Sequence, residues 1–378
     1  MFDAAINEER APAHWSEPCL VGECRLHQLA PYIGKLKSSI AKDLISAYSK
    51  EGDLVLDPFC GSGTVPLQAA LMGRRAMAFD VNPYAITLTR GKLNPPNSLE
   101  DASTRLDVAV RKARRFKSQS DAVPRWVKQF FHPRTMSEVV KFVKACVSLN
   151  DYFLLACLLG ILHHQRPGFL SYPSSHLVPY LRTKKFPRSE YPEMYAYRDI
   201  RSRMTRKISR ALSGDFPISH LRSRTIQVDR RDILQIRSKR SVDAIITSPP
   251  YMNALDYKRD NRLRMWFLDD KMKDYAPEPT DKRDAFAKLI RAFCGNALRT
   301  LKERGFCVLV VGETVRRKRM TSHPATQVTG IMSSANPEMK LVRVIEDEIP
   351  DVRRARRGCT GTKTELILVF QKRSPVKR

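Results

Sequence analysis

Two short strings carry residue types suited to chemistry on a planar substrate. The first is DAIITSPPY, residues 243–251. Its apolar run reads as a buried strand that ends at Ser248, Pro249, Pro250 and Tyr251. The two prolines fix φ and remove two N–H donors, which makes the backbone there rigid. The carbonyls of Ser248 and Pro249, with the Ser248 hydroxyl, can accept hydrogen bonds from an amine. Tyr251 can stack on a flat ring. Such a slot holds an aromatic amine by its N–H groups and its π face, and leaves the nitrogen lone pair open to an electrophile. The plainer alternative is an ordinary Pro-Pro turn after a strand.

The second string is LVLDPFCGSGT, residues 54–64. A short buried strand delivers Asp57 to the carboxyl edge of a sheet, where open α/β folds bind ligands. Gly61 and Gly63 let the backbone turn tightly and approach a ligand closely. Gly-x-Gly alone would also suit a nucleotide, but the chain has no GxxxxGK[ST] here, so a phosphate-cradling loop is not expected. Asp80 ends the next strand, and a carboxylate there can accept from both hydroxyls of a ribose. Its other reading is a helix cap before Asn82-Pro83. Asp232 ends a later strand-end loop, where its oxygen can accept from an adenine amino group while Ile233 packs on the ring. Asp229 competes for that role.

The elements that must position these residues follow from periodicity. Short apolar runs predict seven strands, at 54–57, 76–80, 225–228, 243–246, 306–311, 341–345 and 365–370. Apolar spacing predicts helices over 37–49, 64–72, 136–149, 152–163, 200–212 and 285–301. The strand–loop–helix–strand unit at 54–80 is a parallel βαβ start. The alternation stops after residue 90 and resumes at 225. The expectation is an α/β catalytic domain formed by 1–90 and 225–378, with a helical insertion over 91–224.

Composition bounds the class. The chain has 378 residues, 42% hydrophobic and 28% charged, which is a globular balance. Lys and Arg number 67 against 39 acidic residues, a net charge of +28. Such an excess concentrates polyanions around the protein, so nucleic acid is the expected partner. The first fifteen residues have no basic segment followed by an apolar run, and no apolar stretch reaches membrane length. No signal peptide and no membrane association are expected, and the location expected is cytoplasmic. Cys19, Cys24 and His27 lack the second half of a metal site, so no metal is expected.

DPFCGSGT together with TSPPY resembles the amino-methylating DNA methyltransferases, which modify cytosine N4 or adenine N6. PYIGKL at 31–36, FDVNPYA at 79–85 and RGFCVLVVGE at 304–313 are similar to further motifs of that family. The resemblance covers residues 27–90 and 225–370. It implies a Rossmann-like seven-stranded sheet with its last strand antiparallel, S-adenosylmethionine as methyl donor, and double-stranded DNA with the target base flipped out. It implies that Tyr32, Asp57, Pro58, Phe59, Gly61, Gly63, Thr64, Asp80, Val81, Asp232 and Ile233 bind the donor. Ser248, Pro249, Pro250 and Tyr251 would form the catalytic slot, with Asn253, Asp256 and Tyr257 as further pocket residues. The serine of Ser-Pro-Pro-Tyr favours cytosine N4, and adenine N6 stays open. RNA base-amine transfer to guanine N2, and a non-catalytic DNA-binding protein on this fold, are the rival readings. A cognate restriction endonuclease is a partner the family suggests.

Contacts with the nucleic acid have three candidate sources. Arg316, Arg317, Lys318 and Arg319, and Arg353 with Arg354, fall in loops after strands and can clamp phosphates. The insertion interleaves Tyr172, Tyr180, Tyr191, Tyr195 and Tyr197 with Arg166, Arg182, Lys184 and Lys185. It can contact phosphates and stack bases, or it can cap the sheet with its tyrosines half-buried.

Overall fold

The computed structural model describes residues 7–17, 22–117, 123–175, 178–214, 216–236, 240–250, 257–268, 281–312, 323–349 and 364–374. Its strands are β1 (Asn7–Arg10), β2 (Leu54–Asp57), β3 (Arg75–Asp80), β4 (Thr225–Arg230), β5 (Val242–Thr247), β6 (Leu301–Gly312), β7 (Met339–Glu348) and β8 (Thr364–Lys372). They form one sheet in the order β1-β7-β8-β6-β5-β2-β3-β4. Strands β4, β3, β2, β5 and β6 run parallel, and β8 lies antiparallel between β6 and β7. The last strand is antiparallel, as expected.

The sheet has eight strands among the described residues where seven were expected. The addition, β1, pairs in parallel with β7 at the edge of the sheet. Its sequence, NEER, has no apolar alternation to announce a strand. The backbone ladder holds it, helped by an Arg343–Glu9 ion pair at 2.6 Å.

Strand alternation divides the core between the two faces. Leu54 and Leu56, with Met77 and Phe79, pack against the helices Lys282–Gly295 and Pro324–Ala335. Val55, Ala244 and Ile246 pack against the helices Ser38–Tyr48 and Thr64–Leu71. On that second face, Ala78, Leu67 and the helix Pro83–Leu93 join the helices Leu99–Arg114, Pro133–Ser148, Tyr152–Gly160 and Ile200–Ala211 in one continuous core. Leu263, Met265 and Phe267 of the helix Tyr257–Leu268 enter the same core. No helix of the described residues is long and apolar enough to cross a membrane.

The chain leaves β2 for β3 and β4 on one side, then returns to lay β5 and β6 on the other. The order therefore reverses between β2 and β5, which pair through Val55–Ala244 and Leu56–Ile245. A crevice opens at such a reversal, beyond the carboxyl ends of the two strands.

Candidate active site

The two sequence strings meet in that crevice. Asp57 ends β2 and Thr247 ends β5. The Thr247 hydroxyl donates to Asp57 Oδ1 at 2.5 Å, and the Phe59 amide donates to the same oxygen at 3.2 Å. Both residues are buried, at 3% and 0% exposure. Burial lifts the Asp57 carboxyl to about 7, against these hydrogen bonds and with help from the nearby Asp80 charge.

The glycine loop turns above this pair. Gly61 has φ +47° and Gly63 has φ +74°, a region that L side chains avoid. The Gly61 amide donates to Asp80 Oδ2 at 2.9 Å, and the Asn82 amide donates to Asp80 Oδ1 at 2.8 Å. Asp80 thus clamps the loop to the end of β3. Its carboxyl is raised to about 6, because burial outweighs the backbone hydrogen bonds. A second tie comes from below, where the wholly buried Lys92 donates Nζ to the Ser62 carbonyl at 2.6 Å.

A cavity of about 230 Å³ occupies the crevice. Its wall includes Tyr32, Asp57, Pro58, Phe59, Gly61, Thr64, Asp80 and Val81, with Asp232, Ile233, Ser248 and Pro250. These residues come from five separated segments of the chain, which the sheet edge gathers. Asp232 caps a short turn through Oδ1, which accepts from the Leu234 amide at 2.8 Å. Its competitor Asp229 is taken up by Arg90, Gln227 and Arg231. Asp229 does not line the cavity wall.

Two residues stand differently from the sequence reading. Gly63 is not part of the wall. A Cβ on it would lie 2.6 Å from Thr89 Oγ1 and 3.0 Å from the Thr89 backbone, so its role is close packing of the loop on the helix Pro83–Leu93. Pro249 is buried and turned from the cavity, whereas Ser248 and Pro250 face it. The Ser248 hydroxyl donates to the Val310 carbonyl of β6 at 3.2 Å. Its proton is spent there, which leaves the oxygen as an acceptor toward the cavity.

Tyr251, Asn253 and Asp256 lie outside the described residues, as do Arg316, Arg317, Lys318, Arg319, Arg353 and Arg354; so do Cys19 and the side chain of Tyr257. Within the insertion, Tyr195 and Tyr197 have structural partners, donating to the Phe186 carbonyl at 2.5 Å and to Glu138 at 2.6 Å. Tyr180 is 50% exposed, with the Arg182 guanidinium 5.8 Å from its ring centre.

Thr247 and Tyr84 lie in the strings DAIITSPPY and FDVNPYA but were given no role from sequence, and Lys92 was in no quoted string. Thr247 directly precedes the Ser-Pro-Pro string, and its position at the strand's end was the available signal. Lys92 and Tyr84 sit in the helix Pro83–Leu93, whose apolar and polar residues are both buried and so mark no face.

Comparison with known proteins adds the following. Residues 27–90 match the DNA methylase family of the N6 and N4 type. The chain is 24% identical over 286 residues to the Type II methyltransferase M.BsoBI of Geobacillus stearothermophilus, covering 64% of this chain and 52% of that one. It is 41% identical over 54 residues to the Type II methyltransferase M2.DpnII of Streptococcus pneumoniae, covering 14% of this chain and 20% of the relative. It is 35% identical over 63 residues to a tRNA (guanine(10)-N2)-dimethyltransferase of Methanothermobacter thermautotrophicus, covering 16% and 19%. The chain thus spans about half the length of one relative and a fifth of the other two. The matched segment contains the glycine loop, and over it the chain is similar to the amino-methylating DNA methyltransferases, whose methyl donor is S-adenosylmethionine.

Proposed function

We propose that this protein transfers a methyl group from S-adenosylmethionine to an exocyclic amine of a DNA base, with cytosine N4 as the target. The observation that carries this reading is the hydrogen bond between Asp57 and Thr247. Through it the glycine-loop strand and the Ser-Pro-Pro strand share one wall of one cavity.

The residues present fit the donor. The Asp80 carboxylate accepts from the backbone amides of Gly61, Asn82 and Val81, and its two oxygens offer about four lone-pair sites, which leaves capacity to accept from ribose hydroxyls. Asp232 keeps its second oxygen for an adenine amine, beside the apolar Ile233. Tyr32, Pro58, Phe59, Gly61, Thr64 and Val81 close the remaining wall. When bound there, S-adenosylmethionine supplies an electrophilic methyl group on a sulfonium.

The chain's own residues then act by orientation and exclusion of water. The Ser248 oxygen, with its hydroxyl proton directed to Val310, accepts from the target amine. Pro250 gives that corner a fixed φ. An amine drawn toward such acceptors presents its lone pair to the donor side. The Ser248 hydroxyl is not a general base in this arrangement, and the amine's surplus proton leaves to water. Cys60 is buried in the loop and its thiol is pushed up by burial, so it is no nucleophile.

Mass spectrometry of nucleosides from duplex DNA incubated with the protein and donor tests the reading. N4-methylcytosine is the expected product. N6-methyladenine would move the target while keeping the reaction class. Tritium transfer to transfer RNA but not to duplex DNA would overturn the DNA reading in favour of an RNA base amine.

A further inference from the structure

The helix Tyr257–Leu268 is the next described element after Pro250. It is held at one residue by two parts of the molecule. Arg264, 1% exposed, donates Nε to the Leu159 carbonyl of the helix Tyr152–Gly160 at 3.2 Å. Its guanidinium lies 5.6 Å from the ring centre of Tyr84, which is wholly buried. A desolvated cation over an aromatic face is worth more than the same pair in water.

Tyr84 continues the line of contact toward the donor cavity. Its hydroxyl donates to the Pro31 carbonyl at 2.7 Å. Its ring stacks on Tyr32 with centroids 5.8 Å apart. Tyr32 is a cavity wall residue, and its ring would meet a Cβ on Gly61 at 3.3 Å. The series Arg264, Tyr84, Tyr32 and Gly61, buried at its first two members and half-buried at the last two, therefore runs from the helix Tyr257–Leu268 to the glycine loop.

We infer that Tyr84 and Arg264 are positioning residues that join the donor cavity to the helix following the amine slot, so that the two half-sites are set as one unit. This rests on the proposed reading of the cavity as the donor site. Neither side chain touches the reacting atoms. Each acts through Tyr32 and the 31–36 segment, and their effects on donor binding are coupled because they bear on the same ring.

The test is titration calorimetry with S-adenosylmethionine on the full chain. Tyr84→Phe keeps the ring and loses the Pro31 bond, and should weaken donor binding about tenfold, as one buried hydrogen bond implies. Arg264→Met should weaken it by a similar factor. In the double variant the loss should stay well short of the roughly hundredfold product, since contacting residues are not additive. Arg264→Lys keeps a cation over the ring and should recover most of the affinity. Val328→Ala serves as a control for general destabilisation. It lies in the core of the opposite face and should lower Tm without moving donor affinity. Native-like affinity in Tyr84→Phe, or a double variant at the full product, overturns the linkage while leaving the donor site standing. Absence of donor binding by the native chain overturns the donor reading, and the linkage with it.

Discussion

At the residue scale, Asp57 is the centre of the site because two strands converge on it. Its carboxyl is raised to about 7, so it is largely protonated in mildly acidic solution and ionised above neutrality. A folded value above the unfolded one contributes stability that is present below about 4 and lost as pH rises through about 7. Asp57→Asn removes that contribution, so the gap in Tm between variant and native chain should move in the variant's favour between pH 5 and pH 8. The donor is a cation, so its affinity should rise over the same range in the native chain and stay flatter in Asp57→Asn. Calorimetry at several pH values checks both signs, and a parallel profile in the two proteins would refute the assignment. Ser248 makes a separable prediction. Its oxygen faces the cavity from the β5 side and bonds β6, not the donor loop. Ser248→Ala should lower the single-turnover rate by about tenfold to a hundredfold, the worth of one acceptor in a desolvated site. Donor affinity should remain near native.

At the element scale, the loop between β2 and the helix Thr64–Leu71 depends on packing as much as on ligand approach. Gly63→Ala combines a positive φ with a clash against the Thr89 backbone, a contact that no rotamer change relieves. It should destabilise by about 2 kcal/mol or more. Gly52 has a similar φ of +82° but open space around a would-be Cβ, so Gly52→Ala should cost only about 1 kcal/mol. Denaturant melts of the two variants separate strain from crowding. These same features explain what was legible in the sequence. The sheet-edge strings were readable because buried parallel strands are continuous apolar runs, and each ends in an abrupt polar or glycine-rich turn. Asp57, Asp80 and Ser248 follow directly from that register. Strand β1 was not readable, since its four polar residues are recruited by the edge of β7 and by Glu9's pairing with Arg343. The helix Pro83–Leu93 was missed for the opposite reason. It is buried on all sides between the sheet and the insertion's helices, so it has no polar stripe to set a period. That is also why Lys92 gave no signal and Tyr84 gave one only as a member of the FDVNPYA string, although both hold the glycine loop's surroundings.

At the scale of the whole molecule, the two binding events should differ in their response to salt. The chain carries +28, while the donor cavity has acidic side chains at Asp57, Asp80 and Asp232. The wall also carries Lys35 and Arg231, so most of the 67 basic side chains lie elsewhere. Some of them are visible on the helix Ile200–Ala211, which buries Ile200, Met204, Ile208 and Ala211 against the core. The spacing of those apolar residues turns Arg206 and Arg210 outward, one helical turn apart, and both are exposed. The helix is tied to the segment before the donor cavity by Lys207, whose Nζ donates to the Gln28 carbonyl at 3.3 Å. Duplex binding should thus weaken steeply with salt, because each neutralised phosphate releases condensed counterions, with a slope of about −0.9 per contact. Donor binding in an enclosed cavity should change little over the same range. Arg206→Gln with Arg210→Gln should lower the magnitude of the duplex slope by about 2 if both meet phosphates, while donor affinity and Tm hold. Fluorescence anisotropy of a labelled duplex from low to moderate salt measures this. An unchanged slope would assign the phosphate contacts to other basic segments of the chain and leave this helix as a solvated face.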